Sequence, residues 1–325
     1  MGPSPIVAEI VRSGFVEGHH YGSAVALRPD GAVDWSVGPV ERTILPRSCN
    51  KPIQALGMLK AGLDLPDDLL ALACASHSGE EFHLEGVRRI LESAGLTEQH
   101  LRTPPDFPLD DASRERVLAA GGSKSPVFMN CSGKHAAMLV TCVVNGWDLE
   151  TYRDAAHPLQ RAIAASFASL TGTTVEVVAV DGCGAPIFST SLIGLARAFG
   201  RLAQGVDGDG RPDADSQRIA EAIRRHPEMV SGTHRDELAL LRAIPGAIAK
   251  AGAESVYAVA LADGRAFATK TDDGAARVRP TVMAAALARS GVPDEPGVDG
   301  AAVRATGLVP VLGGGAPVGE LRAVL

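Results

Sequence analysis

The stretch Ser23-Ala24-Val25-Ala26-Leu27-Arg28-Pro29-Asp30-Gly31-Ala32-Val33-Asp34-Trp35-Ser36-Val37 sets two β-type runs around a four-residue turn. Pro29 presets φ and Gly31 can take a left-handed conformation, so the spacing predicts a hairpin of Ser23–Leu27 with Ala32–Val37. A preceding strand is predicted at Val7–Phe15. The pattern returns near the other end, with Ser255–Leu261, the turn Asp263-Gly264, Arg265–Lys270 and a final strand at Val318–Leu325. Hairpins at both ends imply an α/β chain of the α+β kind, with one antiparallel sheet built from both chain ends. The sheet part is expected at about residues 1–45 and 246–325, and a large helical part at about 46–245. Together they form a single catalytic unit, with a site in the cleft between the two parts.

The change of pattern comes at Pro46. Ile53, Leu56, Met58, Leu59 and Leu63 recur at three- and four-residue intervals, and Pro52 is tolerated in a first helical turn. Further helices are predicted at Pro66–Cys74, Glu80–Ala94, Gly133–Val143, Pro158–Thr171, Thr190–Phe199, Ser216–His226, Asp236–Arg242 and near Thr281–Ser290. A short strand is predicted at Val175–Val180, and polar loops at Arg102–Asp111 and Gln204–Asp215.

Composition narrows the function classes. The net charge is −7 and no basic cluster occurs, which argues against a nucleic-acid partner. The longest apolar run, Ala136 to Val144, is about half the ~18 residues that a membrane span needs, so no membrane association is expected. The beginning Met1-Gly2-Pro3-Ser4-Pro5 has no basic region followed by an apolar core, and cytoplasmic residence is the expectation. Five cysteines, an odd number, suggest reduced thiols. Cys74 and Cys142 lie in apolar runs and read as core. Cys131 and Cys183 instead lie in polar, glycine-containing turns.

The chain has six lysines, against which arginine fills the ordinary cationic positions. Arginine keeps its proton in proteins, whereas a desolvated lysine can serve as a neutral base or a metal ligand. Lys60 precedes Ala61-Gly62 and reads as an ordinary helix-terminal cation. Lys51 stands three residues after Ser48, one helical turn along the same face. A hydroxyl beside a neutral amine is a nucleophile with its base. An unperturbed lysine near ~10.4 must be brought down by burial or a second cation to play that part. Ser78, in Ala75-Ser76-His77-Ser78-Gly79-Glu80-Glu81, reads either as a helix cap completed by Glu81 or as a second hydroxyl of the site. Lys250 opens Lys250-Ala251-Gly252-Ala253 ahead of a strand and could supply the second cation, with Lys270 as its competitor. The N–H groups of Ser48 and Ala253 could hold an oxyanion, and Arg47 a substrate carboxylate.

The set Arg47-Ser48-Cys49-Asn50-Lys51-Pro52, Ser76-His77-Ser78-Gly79-Glu80, Asn130-Cys131-Ser132-Gly133-Lys134-His135, Asp181-Gly182-Cys183-Gly184 and Lys250-Ala251-Gly252-Ala253-Glu254 resembles the rhizobial-type L-asparaginases over nearly the whole chain. The resemblance implies a fold similar to serine β-lactamases and glutaminases. It implies hydrolysis of L-asparagine to L-aspartate and ammonia through two Ser–Lys pairs, Ser48 with Lys51 and Ser78 with Lys250. Arg47, Asn130, His135 and Ala253 are then expected at the substrate. It also implies zinc held by Cys131, Lys134 and Cys183 with Asp181 in support, as a structural or tuning element, and a homodimer. The family commonly has Gly after Glu254, where this chain has Ser255, and Ser231–Glu237 is less regular than its counterpart. Glutaminase, another Ser-x-x-Lys amidase or β-lactam-interacting hydrolase, and a non-catalytic zinc-binding protein remain the alternatives.

Overall fold

A computed structural model describes residues 3–325. The strands are β1 (Ile6–Arg12), β2 (Phe15–Leu27), β3 (Val33–Val37), β4 (Thr43–Ile44), β5 (Val178–Val180), β6 (Pro186–Phe188), β7 (Thr190–Ser191), β8 (Ile248–Ala251), β9 (Val256–Ala260), β10 (Ala266–Thr271), β11 (Pro310–Gly313) and β12 (Ala316–Ala323). The helices are α1 (Lys51–Lys60), α2 (Asp67–Ala73), α3 (Glu81–Glu92), α4 (Asp111–Ala119), α5 (Ser132–Asn145), α6 (Pro158–Thr171), α7 (Leu192–Gln204), α8 (Ala214–Arg225), α9 (Pro227–Ser231), α10 (Asp236–Ala243), α11 (Arg279–Arg289) and α12 (Gly300–Thr306). None of the described helices is long and apolar enough to cross a membrane.

The chain forms two compact units. The first comprises the residues up to Cys49, Thr190–Gln204 and Ala239–Leu325. Its sheet has the order β11-β12-β1-β2-β10-β9-β8, with β3 also on β2. Every pairing is antiparallel, and the N-terminal strands β1 and β2 lie side by side between two groups of strands from the C-terminal part. The long β2 makes this possible: its first half pairs with β1 and its second half with β10 and β3. In the turn after β2, Gly31 has φ 80° and donates to the Arg28 carbonyl, as the Pro-Asp-Gly sequence requires. Helix α7 covers β2, β9 and β10, and α11 packs on β10.

The second unit, Asn50–Ser189 with Gly205–Leu238, is mostly helical. Helix α1 lies on α6, and α2 sits among α3, α5 and α8. Cys74 and Cys142 are wholly buried there, as their apolar surroundings predict.

Several elements depart from the sequence reading. Val7–Phe15 is not one strand, because Ser13 and Gly14 both adopt positive φ and turn β1 into β2. Thr190 and Ser191 pair with β4 before α7 begins at Leu192. The strand read at Val175–Val180 is reduced to Val178–Val180 and pairs with β6, outside the main sheet. Helix α4 carries a single buried residue, Ser113, so it lacks the periodicity that reveals a helix; the Asp110 carboxylate caps it.

Candidate active site

In the first unit the Ser48 turn rests against the end of β8. Arg47–Asn50 forms a 3-10 turn that runs directly into α1, so Ser48 does not cap that helix; Asn50 stands at the N-cap. Cys49 is fully buried and its thiol donates to the Lys250 carbonyl at 2.9 Å. A Cβ on Gly252 would lie 3.1 Å from the Pro46 carbonyl oxygen and 3.3 Å from the Ser48 nitrogen. A larger residue would have to push these atoms back by a few tenths of an ångström, so glycine eases the approach of the strand end to the serine backbone. The next residue, Ala253, has an N–H with no hydrogen-bond acceptor among the described residues.

Two left-handed segments frame this contact. Arg47 has φ 49°, and Glu254 and Ser255 both have φ 55°. Non-glycine residues occupy this region at an energetic cost, and such strain gathers at functional sites. Arg47 and Glu254 form an ion pair at 3.5 Å. Lys250 is fully buried and its Nζ donates to the Ala251 carbonyl at 2.8 Å. Its competitor Lys270 donates to the Glu254 carbonyl at 3.0 Å, and burial lowers its pKa despite the nearby Glu254 and Asp272 carboxylates.

In the second unit Lys51 opens α1 with its side chain entirely buried. Its Nζ donates to the Ala75 carbonyl at 2.6 Å and to the Ser76 hydroxyl at 2.8 Å. No carboxylate among the described residues pairs with it. Ser76 escaped the sequence reading, which singled out Ser78 in Ser76-His77-Ser78. Ser76 is also held through its backbone, donating to the Val230 carbonyl at 3.1 Å and accepting from Arg235 at 3.0 Å. Arg235 is fixed in turn by the buried Glu237 at 2.9 Å.

Ser78 does not cap α3, whose N-cap is Glu80. Its hydroxyl donates to the Ser231 carbonyl. Gly232, at φ 120°, leaves room for that contact, since a Cβ there would lie 2.0 Å from Ser78 Oγ. The Glu80 carboxylate accepts from Thr233 N at 2.9 Å, tying the same loop down. His77 and His83 stack at 5.3 Å between ring centroids. Burial lowers both imidazoles, His83 to about 4. Lys60 is the exposed helix-terminal cation that its sequence suggests, 3.5 Å from Asp213.

A separate cluster gathers Cys131, Lys134, His135 and Cys183 at the N-terminus of α5. Lys134 Nζ lies 3.3 Å from Cys183 Sγ, and both side chains are buried. The hydrogen bond from Cys131 and the charge of Lys134 depress the Cys183 thiol, while Cys131, the donor to Cys183, is raised. Burial opposes the Lys134 charge, but the two sulfurs outweigh it and raise its pKa. Asp181 stands off at 4.0 Å from Cys183 Sγ. The side-chain oxygen of Asn130 lies 3.2 Å from Cys131 Sγ, and His135 faces Tyr152 OH at 2.6 Å with its other ring nitrogen buried. Of the four residues expected at the substrate, Asn130 and His135 therefore lie at this cluster, and Arg47 and Ala253 at the Ser48 turn. Among the described residues no group of three or more His, Cys, Asp and Glu side chains is arranged to hold a metal. Two sulfurs and an amine do converge, a set that suits zinc once the ligating groups are deprotonated.

The sequence model of the family described as L-asparaginase II matches residues 8–323. This chain belongs to the L-asparaginase II family. It is an amidohydrolase of the asparaginase type with a small-molecule substrate. Solved structures similar to it include a β-lactamase from Mycobacterium bovis, at 13% identity over 82% of this chain and 94% of that one, with a TM-score of 0.37. Another is EstCE1, a hydrolase with promiscuous acyltransferase activity, at 13% identity over 82% of this chain and 93% of that one, with a TM-score of 0.43. No curated protein matches the chain.

Proposed function

We propose that this L-asparaginase II family member hydrolyses L-asparagine to L-aspartate and ammonia through an acyl-enzyme on Ser48. The observation that carries the reading is the environment of Lys51. A wholly buried amine donates two hydrogen bonds to neutral oxygens, with no carboxylate paired to it among the described residues, three residues after a half-buried serine in a strained turn. Once a proton has left, the same two donated bonds would use both N–H groups of the free amine and leave its lone pair to accept one from a neighbour.

In the first step Lys51 takes the Ser48 hydroxyl proton as Oγ forms a bond to the side-chain amide carbon. The N–H groups of Ser48 and Ala253 hold the oxyanion, and Gly252 allows their close approach. The C–N bond then breaks, and the proton passes from Lys51 through Ser76 Oγ to the departing nitrogen, releasing ammonia. Water attacks the acyl carbon and gives a proton to Lys51; that proton returns to Ser48 as the ester bond breaks. Arg47 receives the substrate α-carboxylate. Ser78 with Lys250 is kept as the second pair, acting on the leaving-group side. Zinc, when bound by Cys131, Lys134 and Cys183, would cross-link α5 to the Asp181–Gly184 turn, and the Ser–Lys steps do not pass through it.

The deciding experiment is ammonia release from asparagine and glutamine side by side, with trapping of the acyl-enzyme by a slow substrate. Ammonia from asparagine and a label on Ser48 support the reading. A label on another serine, or no ammonia from either amide, rejects it.

A further inference from the structure

Arg47 and Glu254 flank the contact between Gly252 and the Ser48 turn. Arg47 immediately precedes Ser48, and Glu254 immediately follows Ala253, the second donor to the oxyanion. Arg47 Nη1 lies 3.5 Å from Glu254 Oε1. A closed guanidinium–carboxylate pair is shorter, about 2.7–2.9 Å, and frequently forked. This pair is therefore open, and no other side chain among the described residues donates a hydrogen bond to the Glu254 carboxylate.

The glutamate is nevertheless held in place. Its backbone is left-handed at φ 55°, and its carbonyl accepts from Lys270 Nζ at 3.0 Å. Its carboxylate lies against Gly274, where a Cβ would collide with Oε2. The side chain is 59% exposed, against 24% for Arg47, so the carboxylate is within reach of a small molecule. An ion pair this exposed contributes little to stability and does not offset the strain of the left-handed backbone on both of its sides. Asparagine supplies a reason for the arrangement. It is a zwitterion whose two charged groups share one carbon, so with its α-carboxylate on Arg47 its α-ammonium needs an acceptor of opposite sign alongside.

We propose that Glu254 accepts the substrate α-ammonium beside Arg47, so that the site selects α-amino acid amides over amides that carry the carboxylate alone. This rests on the asparaginase reading and adds the feature by which the substrate is chosen. The carboxylate acts in two directions. It attracts an ammonium through charge-assisted hydrogen bonds, and it repels a lone carboxylate that approaches Arg47. The reacting amide is two bonds away from the α-carbon, so these contacts are alike in the ground and transition states. They therefore act on KM more than on kcat.

The test compares L-asparagine with succinamate, its analogue without the α-amino group, on the full chain. The wild type is expected to favour asparagine in kcat/KM by about 10–100-fold, the range for a lost hydrogen bond to a charged group. Glu254→Gln keeps the shape and removes the charge. It should raise KM for asparagine by about 10–100-fold and leave succinamate unchanged or improved, so that the preference collapses. A second measurement needs no variant: L-aspartate should inhibit the wild type at least about tenfold more tightly than succinate. An equal loss on both substrates in Glu254→Gln would make the residue a brace for Arg47 and overturn the proposal. So would a wild type that treats asparagine and succinamate alike, or L-aspartate and succinate inhibiting equally. Each of these failures leaves asparagine hydrolysis by the wild type intact. Absence of that hydrolysis instead rejects the asparaginase reading, and this proposal with it.

Discussion

Lys51 Nζ donates to the hydroxyl of Ser76 at 2.8 Å, whereas the hydroxyl of Ser78, two residues on, is spent on the Ser231 carbonyl. The two serines share one loop and are both nearly inaccessible, yet only Ser76 is in line with the buried amine. Ser76→Ala should lower kcat by about 10²–10⁴-fold with little change in KM, the range expected for a lost proton relay. Ser78→Ala would reach the same range only if its pairing with Lys250 carries the proton. Steady-state kinetics on the two variants separate the roles, and an unimpaired Ser76→Ala enzyme excludes the relay.

Lys51→Arg places a permanent cation at the head of α1 and removes the free base, since a guanidinium does not deprotonate in a protein. Turnover should fall by about 10³-fold or more. Retained activity in this variant, with acyl-enzyme still forming on Ser48, would contradict the amine's role as base.

What could be read in the sequence follows from how local each signal is. The Arg28–Gly31 hairpin and helix α6 needed only neighbouring residues, and both stand where the sequence puts them. Strand β7 needed β4, which lies about 150 residues earlier, so Thr190 and Ser191 read as a helix start. The site shows the same division. In the proposed site the Ser48–Lys51 pair is legible from three-residue spacing, but that Lys51 Nζ meets the hydroxyl of Ser76 and not that of Ser78 is visible only in the fold. Arg235 and Glu237 lie more than 150 residues from Ser76 and carry no local motif.

The backbone at Ser255 argues for a stabilising substitution. It is left-handed at φ 55°, and its Oγ is buried with no hydrogen-bond partner. Glycine takes this conformation without the Cβ clash and removes the orphaned hydroxyl. Ser255→Gly should raise stability by about 1 kcal/mol, or roughly 1–3 °C in Tm for a chain of this size. Differential scanning calorimetry checks it; a lower Tm would mean that the hydroxyl is satisfied by ordered water.

The buried His83 gives the protein a pH-dependent stability of known sign. Burial lowers its pKa from 6.5 to about 4, so the unfolded chain binds a proton between those values while the folded chain does not. Stability is therefore full above pH 6.5, declines as pH falls and levels off below about 4. The loss across the window is about 3 kcal/mol. Urea unfolding at pH 7.5 and 4.5 should show it, and His83→Gln should flatten the slope. An unchanged slope in that variant would assign the effect to other groups.

The cluster at the start of α5 can be tested for zinc without reference to turnover. Cys131, Lys134 and Cys183 offer two sulfurs and one amine within a buried site, and a lysine ligand binds only as the free base. Native mass spectrometry of protein exposed to zinc should find one ion per chain. Cys183→Ala should weaken retention by about 100-fold or more, because a two-ligand remnant holds the ion poorly. Asp181→Ala, whose carboxylate stands 4.0 Å from Cys183 Sγ, should keep the ion with a smaller loss of about tenfold. A wild-type chain that retains no zinc would instead leave Cys183 and Lys134 as a buried ion pair. Removing either partner alone should then destabilise the fold by about 3–5 kcal/mol, measurable by the same urea unfolding.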